Sequence, residues 1–499
     1  MNNMRIILFF IFTMAMIGLF PGQMLIVLLV NFVMGLAISI LQIVFSYLPK
    51  YKPKQKNGNN AFFSVLVPAY NEPPEILMDT LKSLACLSYR NYEVLIIDNN
   101  TKDEKNWRPI ESYVKTLGDK FSFYHIDSLP GFKAGALNYV MQFISPKADY
   151  IAVVDADYKV NKDFLSIASS YFVDENIALV QFPQHYRNCF RDNKPIADEY
   201  DHFFGIFMNM ANHFDCVPST GTVSTYRLKP VKEIGGFRGE MLTEDADIGL
   251  RLHGAGYKGV YVDCPVGYGL MPYDLESYRK QKWRWAFGNA QSLKTLFSFF
   301  GKIPMKSWIG FLSHLMAWQN FLFLPFTVLA TYSIILLPHI PILQIHRNLL
   351  YVSSLTIFVT IFTKYILFIS TFNTKENKFW HSVKAFIVHM GMTLVYSEAW
   401  LSCLLKVKSP FLRTNKFISQ KIPGIISNSI GEVILGIWFL VGALEAVLWG
   451  RKFTVAAFLM TSSILLSILY VYYKILPTRN YSEGMVVRLR EKYKKFLIN

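Results

Sequence analysis

The sequence predicts an α/β domain inserted between membrane-spanning helices. Charged residues make up 17% of the 499-residue chain, below the roughly one quarter usual in soluble domains, and the apolar residues fall in long blocks. A polar segment from about 61 to 299 separates those blocks. Within it short β-branched runs alternate with helical stretches, the pattern of a parallel sheet covered by helices. Lysines follow the first apolar block at once, which places the polar segment on the cytoplasmic side.

Residues 1–49 are expected to form two transmembrane helices. No charged residue occurs from Ile6 to Pro49, and Pro21-Gly22-Gln23 divides the run. Met24–Leu48 exceeds the roughly 20 residues that a bilayer core needs. The first half is short enough for a signal peptide, but it lacks a small-x-small cleavage site and runs directly into another span. Lys50, Lys52, Lys54 and Lys56 then mark the inner face. Residues 50–302 read as the α/β domain. Phe63–Pro68, Tyr92–Asp98 and Tyr150–Asp155 are buried parallel strands, with helices at Pro74–Leu87 and Gly135–Phe143 between them. Ligands of such sheets bind beyond the carboxyl ends of the strands, where Asp98 and Asp155 both lie.

Residues 303–379 are expected to hold an interfacial helix and two spans, since Trp308–Leu337 is uncharged and Leu349–Thr371 carries Lys364 alone. Trp380–Leu405 is apolar enough to tempt a further span, but it contains Lys384, His389 and Glu398. Between Phe372 and Ile425 lie Lys375, Lys378, Lys384, Lys406, Lys408, Arg413, Lys416 and Lys421. An interfacial amphipathic helix within 380–425 keeps all of them on one side. Residues 426–475 supply a last pair of spans, and 476–499 a basic cytoplasmic tail with Arg488, Arg490, Lys492, Lys494 and Lys495. The expectation is a multi-pass protein of the plasma (inner) membrane, with about six spans and both termini inside.

Net charge is +16, from 51 Lys and Arg against 35 Asp and Glu. Basic residues beside spans account for this. No basic stretch carries a nucleic-acid module, so nucleic acid is not an expected partner. Cys86, Cys189, Cys216, Cys264 and Cys403 form no CxxC pair, which argues against a zinc site or a disulfide framework and for a reducing compartment.

Three strings carry chemistry. Asp155-Ala156-Asp157 sits at the mouth of a strand, and two carboxylates one residue apart can share a divalent cation that bridges a diphosphate. Alone, such a pair is also a common acidic turn. In Thr243-Glu244-Asp245 a carboxylate can take the proton of an attacking hydroxyl. The same string is good capping chemistry for a helix start, and Asp247 beyond it reads as helix surface. Gln281-Lys282-Trp283-Arg284-Trp285 places an amide, a guanidinium and an indole on one helical face at i, i+3 and i+4. Arg suits diphosphate oxygens and an indole suits a sugar ring; Trp-rich interfacial helices look similar.

In this order the three strings resemble the membrane-integrated, inverting family 2 glycosyltransferases, which include cellulose, chitin, hyaluronan and mannan synthases. The resemblance implies a GT-A (Rossmann-like) catalytic domain, a UDP-sugar donor, and Mg²⁺ or Mn²⁺ held by Asp155 and Asp157. It makes Asp245 the base beside Glu244 and Thr243. Arg284 and Gln281 face the donor, and Trp285 and Trp283 the acceptor. Further matches run from about Phe63 to Lys416. Tyr70 and Glu72, in Val67-Pro68-Ala69-Tyr70-Asn71-Glu72, and Asp98 match uridine contacts, although the usual Asp-Asp is here Asp98-Asn99. Lys133-Ala134-Gly135 resembles the family's KAG loop, which puts Lys133 near the nucleotide or its phosphates. Gln184, Tyr186, Arg187 and Asn188, and Ser219-Thr220-Gly221-Thr222, resemble acceptor-channel strings, which makes Tyr186, Thr220 and Gly221 acceptor contacts. The latter string replaces the FCGS-like sequence of cellulose synthases. Phe411-Leu412-Arg413-Thr414-Asn415-Lys416 resembles their gating loop, with Arg413 in place of Val, and Arg413 and Lys416 could close on a diphosphate or serve as inside charges.

The resemblance implies processive synthesis of a β-glycan from UDP-glucose or a close relative, with the spans guiding the product out. Partners would be the UDP-sugar, the growing polysaccharide, the bilayer, and for export either further copies of the chain or another protein. Transfer to a polyprenyl phosphate or other lipid is the alternative within the enzyme class. A transporter with a degenerate transferase domain is the alternative outside it, and the full acidic set speaks against that. Lys364, Glu432 and Glu445 fit either a polar channel or snorkelling near helix ends. The 476–499 tail has no room for a cyclic-nucleotide-binding domain, so any such sensor is expected elsewhere.

Overall fold

The computed structural model describes residues 3–58, 60–189, 194–272, 275–319, 323–335, 343–372, 378–407, 425–448, 450, 454–462, 488–489 and 491–494. The expected gating loop, with Arg413 and Lys416, lies outside the described residues, as does most of the last expected span.

Two helices, α1 (Asn3–Leu19) and α2 (Pro21–Ser46), precede the α/β domain. Its first strands are β1 (Phe62–Ala69), β2 (Tyr92–Asn99), β3 (Phe121–Ile126) and β4 (Ala148–Val153), joined by α3 (Pro74–Ala85), α4 (Glu104–Val114) and α5 (Phe132–Val140). These four strands are mutually parallel, in the order β3-β2-β1-β4. The sequence dictates this. Phe63, Val65 and Val67 of β1 face one core with Ile76, Leu77 and Leu81 of α3, whereas Leu66, Leu95, Ile97 and Ile151 face the other with Ala134 and Leu137 of α5. A strand apolar on both faces reads as a continuous hydrophobic run and must be covered on both sides. The strands expected at 63–68, 92–98 and 150–155 are therefore present, though β4 ends at Val153 and leaves Asp155 in the turn beyond it.

After β5 (Lys159–Val160) and α6 (Phe164–Tyr171) come β6 (Ile177–Gln181), β7 (His185–Tyr186), α7 (Lys194–His202), a π-turn at Phe203–Phe207 and α8 (Met208–His213). Then follow β8 (Ser224–Arg227), α9 (Leu228–Glu233), α10 (Glu244–Gly254), β9 (Lys258–Tyr261) and β10 (Gly267–Gly269). The main sheet continues β4-β8-β6-β9, with β8 antiparallel to both neighbours. A small sheet, β5-β10-β7, ties together the loops after β4 and β6.

Asp247 of α10 is fully buried rather than on the helix surface. Its carboxylate takes Arg251 Nε at 2.7 Å and lies 3.6 Å from Arg238, while Arg251 donates to the Ile234 and Gly236 carbonyls. The pair thus fastens α10 to the turn after α9. Removing one partner of a buried ion pair costs about 3–5 kcal/mol, so Asp247→Ala is expected to lower the thermal unfolding midpoint markedly. A variant that melts with the wild type would refute this.

The rest is helical: α11 (Leu275–Ser298), α12 (Met305–Leu315), a 3₁₀ turn at Met316–Trp318, α13 (Phe323–Ile335), α14 (Leu343–Thr371), α15 (Lys378–Met390), α16 (Thr393–Leu404) and α17 (Ile425–Leu448). Ile17, Leu28, Leu329, Leu350, Ile357 and Phe439 share one apolar core among α1, α2, α13, α14 and α17. Among the described residues two helices, Pro21–Ser46 and Arg347–Thr371, are long and apolar enough to cross a membrane; Leu435–Leu448 is a shorter apolar stretch. Two expectations need revision. Trp308–Leu337 is not one span: α12 ends at Leu315, the backbone is extended at Gln319, and Phe311, Leu315 and Trp318 pack into the core of the α/β domain. Trp380–Leu405 is not one helix but two, α15 and α16, broken at Gly391-Met392.

Candidate active site

A cavity opens beyond the carboxyl ends of β1, β2 and β4. Tyr70 and Glu72 come from the turn after β1, and Lys133 from the first turn of α5. Asp155 and Asp157 come from the turn after β4, and Tyr186 from β7. Thr220 and Gly221 precede β8, and Thr243, Glu244 and Asp245 open α10. Gln281, Arg284 and Trp285 are the i, i+3 and i+4 positions of α11 and share the cavity wall, as helical spacing requires. Three strings separated in sequence by scores of residues are thus brought to one site.

Two expected residues stand back from it. Asp98 is buried; Oδ1 accepts from Thr101 Oγ1 and Oδ2 lies 2.8 Å from His125 Nδ1. Thr101 Oγ1 in turn accepts the Asn71 N–H. Asp98 thereby holds the loop that presents Tyr70 and Glu72, and its neighbours Asn99 and Asn100 form the wall. Trp283 points elsewhere, stacked on Phe287 with ring centres 4.9 Å apart.

The acidic turn is built asymmetrically. Asp155 Oδ1 accepts from Lys133 Nζ at 2.6 Å, and the same ammonium donates to the Gly221 carbonyl at 2.7 Å. Asp157 is almost fully buried, with Oδ2 accepting the Leu270 N–H. Lys133 is held on this wall by a tight helix entry: a Cβ at Gly135 would stand 1.9 Å from the Pro130 carbonyl oxygen. This gives the Lys133-Ala134-Gly135 string a steric cause.

Sequence reading missed several residues. Phe132, Tyr158, Asn99 and Asn100 line the cavity. Gln181 braces it from behind, its Oε1 accepting from Thr220 N–H and Ser224 Oγ and its Nε2 donating to the Thr222 carbonyl. A glutamine closing the apolar run Ile177–Gln181 was the available signal, since a buried amide needs partners.

The pattern of the family described as Glycosyl transferase family group 2 matches residues 150–405, and that of Glycosyl transferase family 2 matches 64–235. The chain belongs to glycosyltransferase family 2. Similar proteins include the UDP-forming cellulose synthase catalytic subunit of Xanthomonas axonopodis pv. citri (strain 306), 27% identical over 237 residues, or 46% of this chain and 31% of that protein. A UDP-forming cellulose synthase from Dictyostelium discoideum is 33% identical over 165 residues, 32% of this chain and 16% of the relative. The match therefore spans less than a third of either relative. A mannosyltransferase from Pyrobaculum calidifontis, solved with GDP-Man and Mn²⁺, shares the fold with a TM-score of 0.51 at 15% identity, covering 77% of this chain and 99% of that one.

The glycosyltransferase places its two helix-start acids where their protons are held tightly. Burial pushes Glu244 up to about 7, reinforced by neighbouring Asp245 and opposed by Lys133. Burial likewise raises Asp245, against the pull of Lys133 and Arg284. Lys133 Nζ lies 3.9 Å from Glu244. Burial alone would lower Lys133, but Asp155 and then Glu244 outweigh it and raise it. Asp245 Oδ1 accepts the Ala246 N–H, and Oδ2 faces Gly221. Thr243 occupies the cap position of α10, yet its side chain makes no cap bond. Thr243 Oγ1 and Thr220 Oγ1 are buried without a protein partner, and buried hydroxyls of that kind normally find one.

The cavity chemistry fits a divalent cation with a phosphate ligand. Asp155 and Asp157 offer hard oxygens, and the Lys133 ammonium already stands against Asp155. Among the described residues no group of three or more His, Cys, Asp and Glu could hold a metal alone. One or two carboxylates completed by phosphate oxygens and water is how Mg²⁺ is ordinarily bound.

Proposed function

We propose that this glycosyltransferase is an inverting, processive polysaccharide synthase that takes a hexose from a UDP-sugar, UDP-glucose first, and adds it to the end of a β-glycan. One observation carries the reading: the acidic turn, the α10 carboxylates and the Gln281–Arg284–Trp285 face line one cavity. The curated relatives, UDP-forming cellulose synthases, support the donor and the product.

The chain's own residues divide the work. Asp245 accepts the proton of the acceptor hydroxyl as that oxygen bonds to the anomeric carbon and the bond to the diphosphate breaks on the opposite face. Arg284 binds the departing diphosphate through its planar fork. Trp285 stacks against the terminal sugar of the acceptor. Thr220 and Thr243 offer free hydroxyls along the sugar path. A divalent cation held by Asp155 and Asp157 would neutralise charge on the leaving group. We place the catalytic domain on the cytoplasmic face, with α2 and α14 among the spans that guide the polymer outward, and assign Arg413 and Lys416 to the donor diphosphate.

Purified protein in nanodiscs, given Mn²⁺ or Mg²⁺ and a panel of radiolabelled UDP-sugars followed by GDP-mannose, tests this. A large, glycanase-sensitive product is expected. Label confined to an organic-extractable lipid would overturn processivity.

The raised acids predict a pH dependence. A base whose pKa lies above the ordinary carboxylate value is idle at low pH, so kcat/KM for UDP release falls on acidification through a limb above about pH 4, the ordinary Asp value. Lys133 opposes protonation of both acids. Lys133→Met is therefore expected to move the limb to higher pH; a downward shift would contradict the assignment.

A further inference from the structure

Lys282, the unspecified second position of the Gln281–Trp285 string, is fully buried. Its ammonium pairs with Glu199 of α7, itself fully buried. Four aromatic rings surround the nitrogen: Trp318 at 4.1 Å, Tyr200 at 4.3 Å, Trp285 at 4.7 Å and Tyr278 at 5.3 Å. Glu199 also accepts from the Tyr278 hydroxyl, and His389 Nδ1 of α15 lies 3.1 Å from its other oxygen. His389 Nε2 lies 3.4 Å from Lys364 Nζ, on α14. Tyr200, next to Glu199, donates its hydroxyl to Gln281 Oε1. The pair thus touches both flanks of the cavity-facing stripe, Gln281 through Tyr200 and Trp285 through the ammonium.

We propose that the Glu199–Lys282 pair is a positioning device that fixes Trp285 as the acceptor platform and ties the register of its helix to α14 and α15. The argument rests on the acceptor role given to Trp285 above. An apolar core tolerates small sliding of one helix past another. A buried charge does not, because it must stay on its counter-charge. Lys282 and Trp285 are i and i+3 on α11 and share a face, so locking the ammonium locks the indole. An aromatic cage around a desolvated cation adds directional attraction. The site lies at the seam between the catalytic domain and the helix that can span a membrane, where a sliding platform would misplace the acceptor end.

Three variants test this in nanodiscs. Lys282→Met leaves Glu199 uncompensated and can lose stability for that reason alone. Glu199→Gln with Lys282→Met removes both charges at similar volume, so its folding should recover. Lys282→Arg keeps the charge. Equilibrium binding of UDP and of a cello-oligosaccharide primer is measured, with hydrogen exchange of the 278–286 amides. In the double variant we expect UDP affinity within twofold of wild type, primer affinity down at least tenfold, and faster exchange at 281–285. Lys282→Arg should recover part of the primer affinity. A double variant with wild-type primer binding and exchange would overturn the proposal and leave the pair as charge balance. If wild-type protein bound no primer, the proposed function would fall instead, and the exchange at 281–285 would decide the pair alone: faster exchange supports it and unchanged exchange overturns it.

Discussion

Asp245→Asn should abolish sugar transfer while leaving the donor site intact, with kcat falling about 10³-fold, inside the 10²–10⁴ range for a lost general base. The substitution is nearly isosteric, and its amide oxygen still accepts the Ala246 N–H that Asp245 Oδ1 accepts now. Fold and loop should survive, so UDP affinity should change little. What is lost is a lone pair able to hold a proton next to the acceptor. The change also removes a negative neighbour that raises Glu244, so Glu244 becomes more acidic and a poorer substitute base. Rates of UDP release and polymer growth, with UDP binding measured separately, decide the matter. A variant retaining a tenth of wild-type turnover would move the base elsewhere, with Glu244 first in line.

How much of this was legible beforehand depends on the range of the interactions. The strand runs at 63–68 and 92–98 were readable because parallel strands buried on both faces leave an unbroken apolar record. The Gln281–Arg284–Trp285 stripe was readable because helical spacing alone puts those residues together. Asp98 was harder. Its chemistry matched, but whether a strand-end side chain turns to the cavity or to His125 across the β2–β3 ladder is a matter of register with a distant strand. Asp247 looked like helix surface because its partners are not all local: Arg251 is one turn away, but Arg238 comes from the preceding turn. Glu199 left no trace at all, being paired with a lysine 83 positions on. The break after α12 was invisible for a different reason. Residues 308–337 are uncharged and mostly apolar, and composition does not separate a helix packed on the catalytic core from one in lipid.

Gly221→Ala should cost about 10²-fold in transfer rate, the order expected when a reacting group is displaced by about 1 Å. Two separate causes meet at this position. The backbone is left-handed, with φ +83, which costs a residue bearing a Cβ roughly 1–2 kcal/mol. That Cβ would also stand 2.6 Å from Asp245 Oδ2 and 3.2 Å from its Cγ. Something must move, and the loop has little freedom to do so. The Gly221 carbonyl accepts from Lys133 Nζ, and the adjoining Thr220 N–H is bonded to Gln181. The Asp245 side chain therefore has to rotate away from the acceptor path. Gly256→Ala separates the two causes, because that glycine is equally left-handed at φ +91 with nothing within 4 Å of its Cβ position. Both variants should lose similar stability in a thermal melt, but only Gly221→Ala should lose turnover. Equal turnover in the two would mean that Asp245 tolerates displacement, and would weaken its assignment as the base more directly than any loss-of-charge variant.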